Sequence, residues 1–352
     1  MPLIPDSFFS SSPTILINGD YRGDISDALG SMVVNLSLQG CAHAELSMSN
    51  WGISEGSQSP DFMFQDIAPG SAIEIQVGPP EDLTRIFDGE VTAIEEEYGD
   101  GAPLLTLLLQ DRLHRMARKR SNRVFEEQSP DDIIQALASD QGFQSDTQVS
   151  SIVDNWHQIN ESDLAFLLRI CERFDVAPRL VEGTLRARPE ESDGDPLSLN
   201  AQDNALSVRL IADLNHQPLR SASAGYNLAT AEAVDFSSEA MTPGPEATSA
   251  ASTLGELNWD GDETVPHPFA RSQAEAEAYA KAHFRRSAKR FIHGDIVCQG
   301  MPQLRSGREI DLSGVSSRME GRYQIVHCTH RFDRRSGFET HLKVNKSDWS
   351  PA

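Results

Sequence analysis

The sequence predicts a β-rich α+β protein with two barrel-like β units, an α/β insert between them and a further helix near the C-terminal strands. Three observations predict this class: short apolar runs between turn residues fill the first 110 residues, two capped helices and a hairpin follow, and strand-like runs then return. Such an order suits two β units decorated by helices, and 352 residues exceed the usual size of one domain. The predicted domains are 1–112, 113–192 and 193–352.

In the first unit, strands are predicted where apolar and polar residues alternate. The clearest case is Ile73-Glu-Ile-Gln-Val77, whose period of two is that of a strand with one buried face. A long polar loop is expected at 54–65. Further strands are predicted at 14–17, 32–38, 44–48, 87–94 and 104–109, and the prolines that separate these runs are Pro60, Pro69, Pro79 and Pro80. The unit is interpreted as a barrel or sandwich.

The insert is predicted from helix signals. Ser129 is an N-cap followed by Pro130 and two aspartates, so a helix is expected near 129–141. A second helix is expected near 160–174. Its predicted core-facing stripe is Leu164, Leu167, Leu168, Cys171 and Phe174. A hairpin is predicted at 177–188 around Glu182-Gly183.

The last unit returns to strands at 205–211 and 217–224. Residues 237–268 are rich in Ser, Thr, Ala, Pro and Gly, so a long loop or a partly disordered segment is expected there. A helix is predicted at 272–290, opened by a capping box of Ser272 and Glu275. Strands and turns are expected from 295 to 344.

Composition excludes several classes of protein. With 53 acidic and 30 basic side chains, the net charge of −23 repels phosphate, so specific nucleic-acid binding is not expected. No apolar run approaches membrane-spanning length, and the N-terminus does not resemble an export signal, so synthesis in the bacterial cytoplasm and no membrane insertion are expected. The four cysteines lie far apart, which argues against a disulfide scaffold or a zinc ribbon.

One group near the C-terminus contains residue types that bind metals. Along a strand from Tyr323, Cys328 and His330 share one face and His327 points to the other. Because this spacing does not guarantee tetrahedral convergence, the group is interpreted as packed or hydrogen-bonded residues, and no metal site is predicted. Its members are His293, Cys298, His327, Cys328, His330 and His341.

Paired carboxylates for glycoside cleavage are the main catalytic alternative. The candidate acids cluster beside glycines in turn-like segments, which favours solvated loops. No G-x-S-x-G elbow, HExxH helix or P-loop is present, so no catalytic residue and no cofactor are predicted. The acids are Glu95, Glu96, Glu97, Asp100, Glu190, Glu191, Asp193 and Asp195.

A basic run contradicts the acidic total. It could contact nucleic acid, but pairing with an acidic surface of a neighbouring subunit is favoured in so acidic a chain. The run comprises Arg112, His114, Arg115, Arg118, Lys119, Arg120 and Arg123.

Three stretches resemble a known family. The run from Trp156 to Phe174, with its Gln158-Ile-Asn-Glu-Ser-Asp163 core, resembles a segment of phage late-control D proteins and of the hub half of VgrG spike proteins. The C-terminal segments 300–307, 321–330 and 337–340 resemble the closing strands of that family, where His330 matches a common histidine. Phe87-Asp-Gly-Glu-Val91, with Asp111, resembles a strand of the first barrel and its exit.

The resemblance implies a structural baseplate hub subunit of a contractile tail or injection system, with two related tail-tube-like barrels per chain. It implies a homotrimeric ring that connects the hexameric inner tube above to a trimeric spike below, with baseplate wedge or LysM-type adaptor proteins as further partners. Since the chain stops at Ala352, soon after the last hub strand, the spike is expected to be a separate chain. The expected location is the assembled phage tail or injection particle. The alternatives are a tail-tip cell-wall-degrading enzyme and an acidic receptor-binding module.

Overall fold

A computed structural model describes residues 12–53, 58–189, 194–238 and 248–349. Within these ranges no helix is long and apolar enough to cross a membrane.

The elements follow one another in three groups along the chain. The first group is Thr14–Ile17 (β1), Asp20–Tyr21 (β2), Gly23–Ala28 (α1), Leu29–Ser37 (β3), His43–Ser49 (β4), Trp51–Gly52 (β5), Asp61–Phe62 (β6), Ala72–Val77 (β7), Thr84–Glu97 (β8) and Leu104–Gln110 (β9). The second is His114–Ala117 (α2), Arg120–Gln128 (β10), Pro130–Asp140 (α3), Gln144–Thr147 (β11), Asp154–Ser162 (β12), Asp163–Glu172 (α4), Arg179–Val181 (β13) and Thr184–Ala187 (β14). The third is Leu197–Asn200 (β15), Ala205–Ala212 (β16), Arg220–Asn227 (β17), Glu232–Ser238 (β18), Thr248–Ser249 (β19), Ala250–Leu257 (α5), Asp262–Ala270 (β20), Gln273–Ala288 (α6), Ile292–Gln299 (β21), Glu309–Ser313 (β22), a 3₁₀ turn at Ser317–Met319, Gly321–Asp333 (β23), Gly337–Lys346 (β24) and Asp348–Trp349 (β25).

One sheet of 13 strands runs through both ends of the chain, in the order β16-β21-β24-β23-β3-β4-β9-β8-β7-β1-β2, with β22 and β15 attached beside β23. The long strand β23 changes partner along its length. Its first residues pair with β22, and after a register shift between Ile325 and His327 its remainder pairs with β3, where His330 lies opposite Val34. The β-rich α+β class is confirmed. Two separate barrels are not confirmed, because the strands form one open sheet with no closure among the described residues.

Three hydrophobic cores underlie this architecture. The first lies under β1–β9 and also takes Phe332 and Phe338 from the C-terminal strands. The third lies under β15, β16 and β21–β24, and Leu36 packs against both the first and the third cores. Full burial of one large apolar side chain contributes roughly 1.5–3 kcal/mol. The two ends of the chain are therefore joined by packing as well as by strand pairing.

The second core belongs to the insert. It is formed mainly between Leu113 and Ala187, but residues of the third group, among them Ala270 and Tyr279, are part of it. The sheet β17-β18-β20 and helix α6 thus pack on the insert. The boundaries at 112 and 192 stay predictions.

Two local predictions for the insert, the cap of its first helix and its hairpin, are confirmed. Ser129 and Asp132 form a reciprocal capping box at α3, with Pro130 in the first turn. Strands β13 and β14 form the expected hairpin, and its turn residues Glu182 and Gly183 have φ of 49° and 80°. Both φ values lie in the region that this kind of tight turn requires.

The second insert helix differs in detail from its prediction. Residues up to Ser162 belong to β12, and Ser162 caps α4. The fully buried side chains are Phe166, Leu167, Ile170 and Cys171, while Leu164 and Leu168 are only partly buried. The predicted stripe is displaced because α4 lies between β12 on one side and α2 and α3 on another, so its buried face is wider than a single stripe.

The predicted long loop at 237–268 is largely wrong. Residues 239–247 lie outside the described residues, but the rest contains the end of β18, β19, helix α5 and most of β20. Strand β20 pairs in parallel with β17, so its backbone hydrogen bonds compensate for a composition that favours loops. The polar loop predicted at 54–65 lies partly outside the described residues, and its Asp61–Phe62 segment pairs with β5.

Helix α6 is present from Gln273 to Ala288 and its cap differs from the predicted box. The Ser272 side chain accepts from the Glu275 amide at 3.2 Å, whereas the Glu275 carboxylate accepts from the amide of Arg271 rather than that of Ser272. The reciprocal hydrogen bond of the Glu275 carboxylate is therefore made to Arg271, one residue before the N-cap.

Candidate functional site

The segment that resembles hub proteins forms a polar network at the start of α4. The Gln158 side chain is 1% exposed, its amide nitrogen donates to Asp163 Oδ1 at 2.8 Å, and its oxygen accepts from Arg123 Nε at 2.8 Å. Arg123 also pairs with Asp163. The motif thus connects β10, β12 and α4 through partly buried hydrogen bonds, which are costly to leave unmade.

The rest of that segment orients the helix that follows. Glu161 forms an ion pair with Arg169 at 2.9 Å, and Ser162 accepts from the amide of Ala165 at 3.2 Å. The guanidinium of Arg169 lies 5.0 Å from the centre of the Phe166 ring. These contacts all lie within the insert.

The Phe87–Val91 motif is explained by close strand packing. A Cβ added at Gly89 would lie 2.3 Å from the Gln110 carbonyl oxygen, so only glycine fits between β8 and β9. Asp111, at the exit, is buried and accepts from the amides of Ala42 at 2.7 Å and Leu113 at 3.0 Å. Burial raises the pKa of Asp111 to about 6, although these hydrogen bonds favour its charged form.

His330 is the centre of a buried hydrogen-bond network. Its ring is fully buried, Nε2 lies 3.0 Å from the Leu304 carbonyl oxygen and Nδ1 lies 3.1 Å from Thr340 Oγ1. Since the carbonyl can only accept, Nε2 carries the proton and Nδ1 accepts from the threonine hydroxyl. Burial lowers the pKa of His330 to about 4.

The other members of the His/Cys group do not converge with His330 on one point. Cys328 is buried on the same face, with its thiol sulfur 3.5 Å from His330 Nε2, and His327 is only partly buried. His293 contacts the Arg290 carbonyl and His341 pairs with Glu339. Across the described ranges, no group of three or more His, Cys, Asp or Glu side chains could hold a metal ion.

The acids considered for glycoside cleavage lie in separate places. Glu95, Glu96 and Glu97 are exposed at the end of β8, and Asp100 lies in the exposed turn before β9. Asp195 precedes β15 and its backbone oxygen accepts from Arg308 at 3.1 Å. Glu190, Glu191 and Asp193 lie outside the described residues.

Four of the seven basic residues in the run pair within the chain, and the expected pairing with a neighbouring subunit stays a prediction. Arg112 pairs with Asp88 at 3.0 Å, and His114 and Arg115 both pair with Glu90. The pairs of Arg123 are also internal, with Asp140 and Asp163. These acids come from β8, α3 and α4, and only folding brings them to the run.

Four basic residues of the run are exposed, namely Arg115, Arg118, Lys119 and Arg120. Arg120 donates to the Asn160 carbonyl at 3.1 Å. Within the described ranges, Arg118 and Lys119 form no ion pair. These exposed residues are accessible to an external acidic partner.

The sequence patterns did not predict a buried polar cluster at α6. Glu275 is 1% exposed, accepts from the Tyr279 hydroxyl at 3.1 Å and pairs with Arg271, which also pairs with Asp154 of β12. Burial, followed by the charge of Glu275, raises the pKa of Tyr279 to about 12. The spacing of four residues between Glu275 and Tyr279, on one face of α6, was the available signal.

The main path of the 13-stranded sheet ends in two open edges, β16 and β2, and the side branch ends at β15. Leu206 and Ile211 on β16 are 53% and 39% exposed, and Tyr21 on β2 is 65% exposed. An edge strand presents unpaired amide and carbonyl groups, which favour pairing with another chain. These two edges are the candidate assembly surfaces.

The fold is that of phage tail proteins. The 43 kDa tail protein of prophage MuSo2 from Shewanella oneidensis is similar over 96% of this chain and 99% of its own, with a TM-score of 0.73 and 13% identity. A tail protein from Neisseria meningitidis MC58 is similar over 95% and 96%, with a TM-score of 0.68 and 11% identity. The E. coli c3393 protein, a type VI secretion component, is similar over 96% and 79%, with a TM-score of 0.62 and 11% identity.

A family model described as the Alg8 N-terminal domain matches residues 12–333, and the chain belongs to this family. No curated protein matches the sequence significantly.

Proposed function

We propose that this protein is a structural hub subunit in the baseplate of a contractile tail or injection system. It forms a homotrimeric ring that connects a hexameric inner tube to a trimeric spike. Its partners are the inner tube proteins above, a spike formed by a separate chain below, and baseplate wedge or LysM-type adaptor proteins at the side. It acts within the assembled particle, and no reaction is part of this role.

The observation that carries the proposal is fold similarity over nearly the full length of both chains. The Shewanella oneidensis tail protein is matched over 99% of its length, so the likeness includes the insert as well as the sheet. The two open edges add physical support. When each copy presents two different edges, head-to-tail contacts generate a closed ring if the rotation between copies closes.

A hub must join a six-fold tube to a three-fold spike, and the two sub-sheets joined at β23 support this role. One runs from β3 to β2 over the first core, and the other groups β15, β22, β23, β24, β21 and β16 over the third. Three chains would then present six sheet segments to a six-fold tube. This role requires positioning and rigidity but no catalysis.

The test is the mass of the protein in solution, with and without a separately expressed spike protein. We expect a species of three 38.7 kDa chains, seen as a ring by electron microscopy. Leu206→Glu would place a charge on the edge strand β16 and is expected to give folded monomers. Leu228→Glu is the matched control, because Leu228 is 86% exposed in the turn between β17 and β18 and should tolerate the charge.

A monomer under all conditions, including with the spike present, would refute the ring. Equal assembly of the Leu206→Glu variant and the wild type would refute the assignment of β16 to the interface.

A further inference from the structure

A cavity of about 300 Å³ opens where strands β3 and β8, the β13–β14 hairpin and the loop before β22 meet. Its walls are partly apolar. Ile86 and Phe87 are buried residues of β8. The other apolar lining residues are Leu36, Ala42, Leu180, Val181 and Pro302. A ligand in this cavity would therefore bury an apolar group.

Four arginines line the same cavity: Arg85, Arg179, Arg305 and Arg308. They come from β8, β13 and the loop before β22, and only the fold brings them together. Such a concentration of guanidinium groups is unexpected in a chain with a net charge of −23. It makes the cavity locally attractive to anions on a surface that otherwise repels them.

The acids at the cavity compensate this charge only in part. Asp88 is paired with Arg112 at 3.0 Å, and Glu74 lies 3.5 Å from Arg85. Asp111 already accepts from two backbone amides, and burial raises its pKa to about 6. Glu182 is exposed at the hairpin turn.

Arg305 provides the most direct sign that the cavity binds an acceptor. Its Nε is buried and forms no hydrogen bond within the described part of the chain. Buried donors are normally satisfied, because an unmade hydrogen bond is unfavourable. A bound acceptor would satisfy this donor.

The neighbouring arginines are held in place by the backbone. A Cβ added at Gly307 would lie 2.4 Å from Arg179 Nη2, so this guanidinium packs directly on the chain. Arg308 donates to the carbonyl oxygens of Asp195 at 3.1 Å and Gln303 at 3.4 Å. A preorganised arginine loses less conformational entropy when it binds.

We propose that this cavity binds a carboxylate that lies beside an apolar side chain, in an acidic segment of a partner protein. A planar guanidinium matches the two oxygens of a carboxylate, and the apolar walls take the adjacent side chain. The volume lies at the lower end of ligand pockets, which suits one or two side chains rather than a cofactor. Only the source of the segment, another protein of the baseplate, rests on the proposed function.

The test uses the full chain, labelled with ¹⁵N in its arginines, and the probe N-acetyl-leucyl-glutamyl amide. We expect a saturable shift of the Arg305 Nε–Hε resonance. The neutral probe N-acetyl-leucyl-glutaminyl amide should cause no shift, and acetate and inorganic phosphate should bind at least about tenfold more weakly than the acidic probe. Higher salt should weaken binding of the acidic probe.

Two variants in the cavity and one control outside it distinguish a loss of binding from a loss of folding. Arg305→Gln removes the charge and should weaken binding about tenfold, whereas Arg318→Gln, at an exposed position on the 3₁₀ turn, should not change it. Val181→Asp leaves every arginine in place, adds a negative charge to the wall and should also weaken binding. Thermal unfolding of each variant checks that it is folded, and Val181→Asp decides the case if Arg305→Gln does not fold.

Several results would overturn the proposal: no shift of the Arg305 resonance with the acidic probe, equal binding of acetate or phosphate, or full binding to folded Val181→Asp. The oligomeric mass is measured on the same samples. If the protein binds the probe but stays monomeric, the ring is refuted and the carboxylate site is supported. If it forms a trimer but does not bind the probe, the carboxylate site is refuted and the ring is supported.

Discussion

Replacing His330 with glutamine tests whether the buried network under β23 makes stability depend on pH. An amide side chain offers one donor for the Leu304 carbonyl and one acceptor for the Thr340 hydroxyl, but it does not titrate near neutral pH. The substitution loses the stacking of the ring on Phe338, whose centre lies 5.5 Å away. Glutamine therefore separates titration from hydrogen bonding.

The expected magnitude follows from the pKa of His330. Burial lowers it from 6.5 to about 4 in the folded protein. Between these values the unfolded chain binds more protons, so the contribution of His330 to stability is complete above pH 6.5 and is lost as the pH falls toward 4. At a pH of about 5 the loss is about 2 kcal/mol, and at about 7.5 it is close to zero.

The assay is urea unfolding of wild type and His330→Gln at both pH values. The wild type should lose about 2 kcal/mol more than the variant between a pH of about 7.5 and about 5. Comparing the two proteins cancels other groups, including Asp111, whose raised pKa acts in the opposite direction. His157→Gln is the control, because His157 is exposed on β12. An identical pH dependence for wild type and His330→Gln would refute the reasoning.

Two further substitutions test local structure. Ser129→Ala removes the cap of α3 and should lower the free energy of unfolding by about 1 kcal/mol, whereas the exposed Ser139→Ala should change it by only a few tenths; equal effects in urea unfolding would contradict the capping box. Gly225→Ala places a Cβ 1.8 Å from the Ala270 carbonyl oxygen and should cost about 1–3 kcal/mol by forcing β17 from β20. At Gly99 a Cβ meets nothing within 4 Å, so Gly99→Ala should leave the thermal midpoint nearly unchanged; a similar loss at both glycines would count against the close packing.

Local structure was predictable because its stabilising contacts lie within a few residues. The capping box of Ser129 and Asp132 and the hairpin turn at Glu182 and Gly183 depend on neighbours that can be read directly from the sequence. The alternation in Ile73–Val77 likewise appears in the structure as alternating burial. The family resemblance also pointed to the tail-protein fold.

The candidate surfaces were much less predictable. The basic run appeared free in sequence, but its partners Asp88, Glu90 and Asp163 come from distant elements. The cavity could not be seen at all, since Arg85, Arg179 and Arg305 carry no common motif or spacing.

Composition and local pattern alone determined the acidic character of this chain, its capped helices and its alternating strands. The tertiary structure decided that the two ends of the chain share one open sheet, through the pairing of His330 in β23 with Val34 in β3. It also made strand β20 from a segment whose composition favours a loop. The physical reason is that every strand offers the same backbone donors and acceptors, so the choice of partner depends on which side chains pack together across the whole chain.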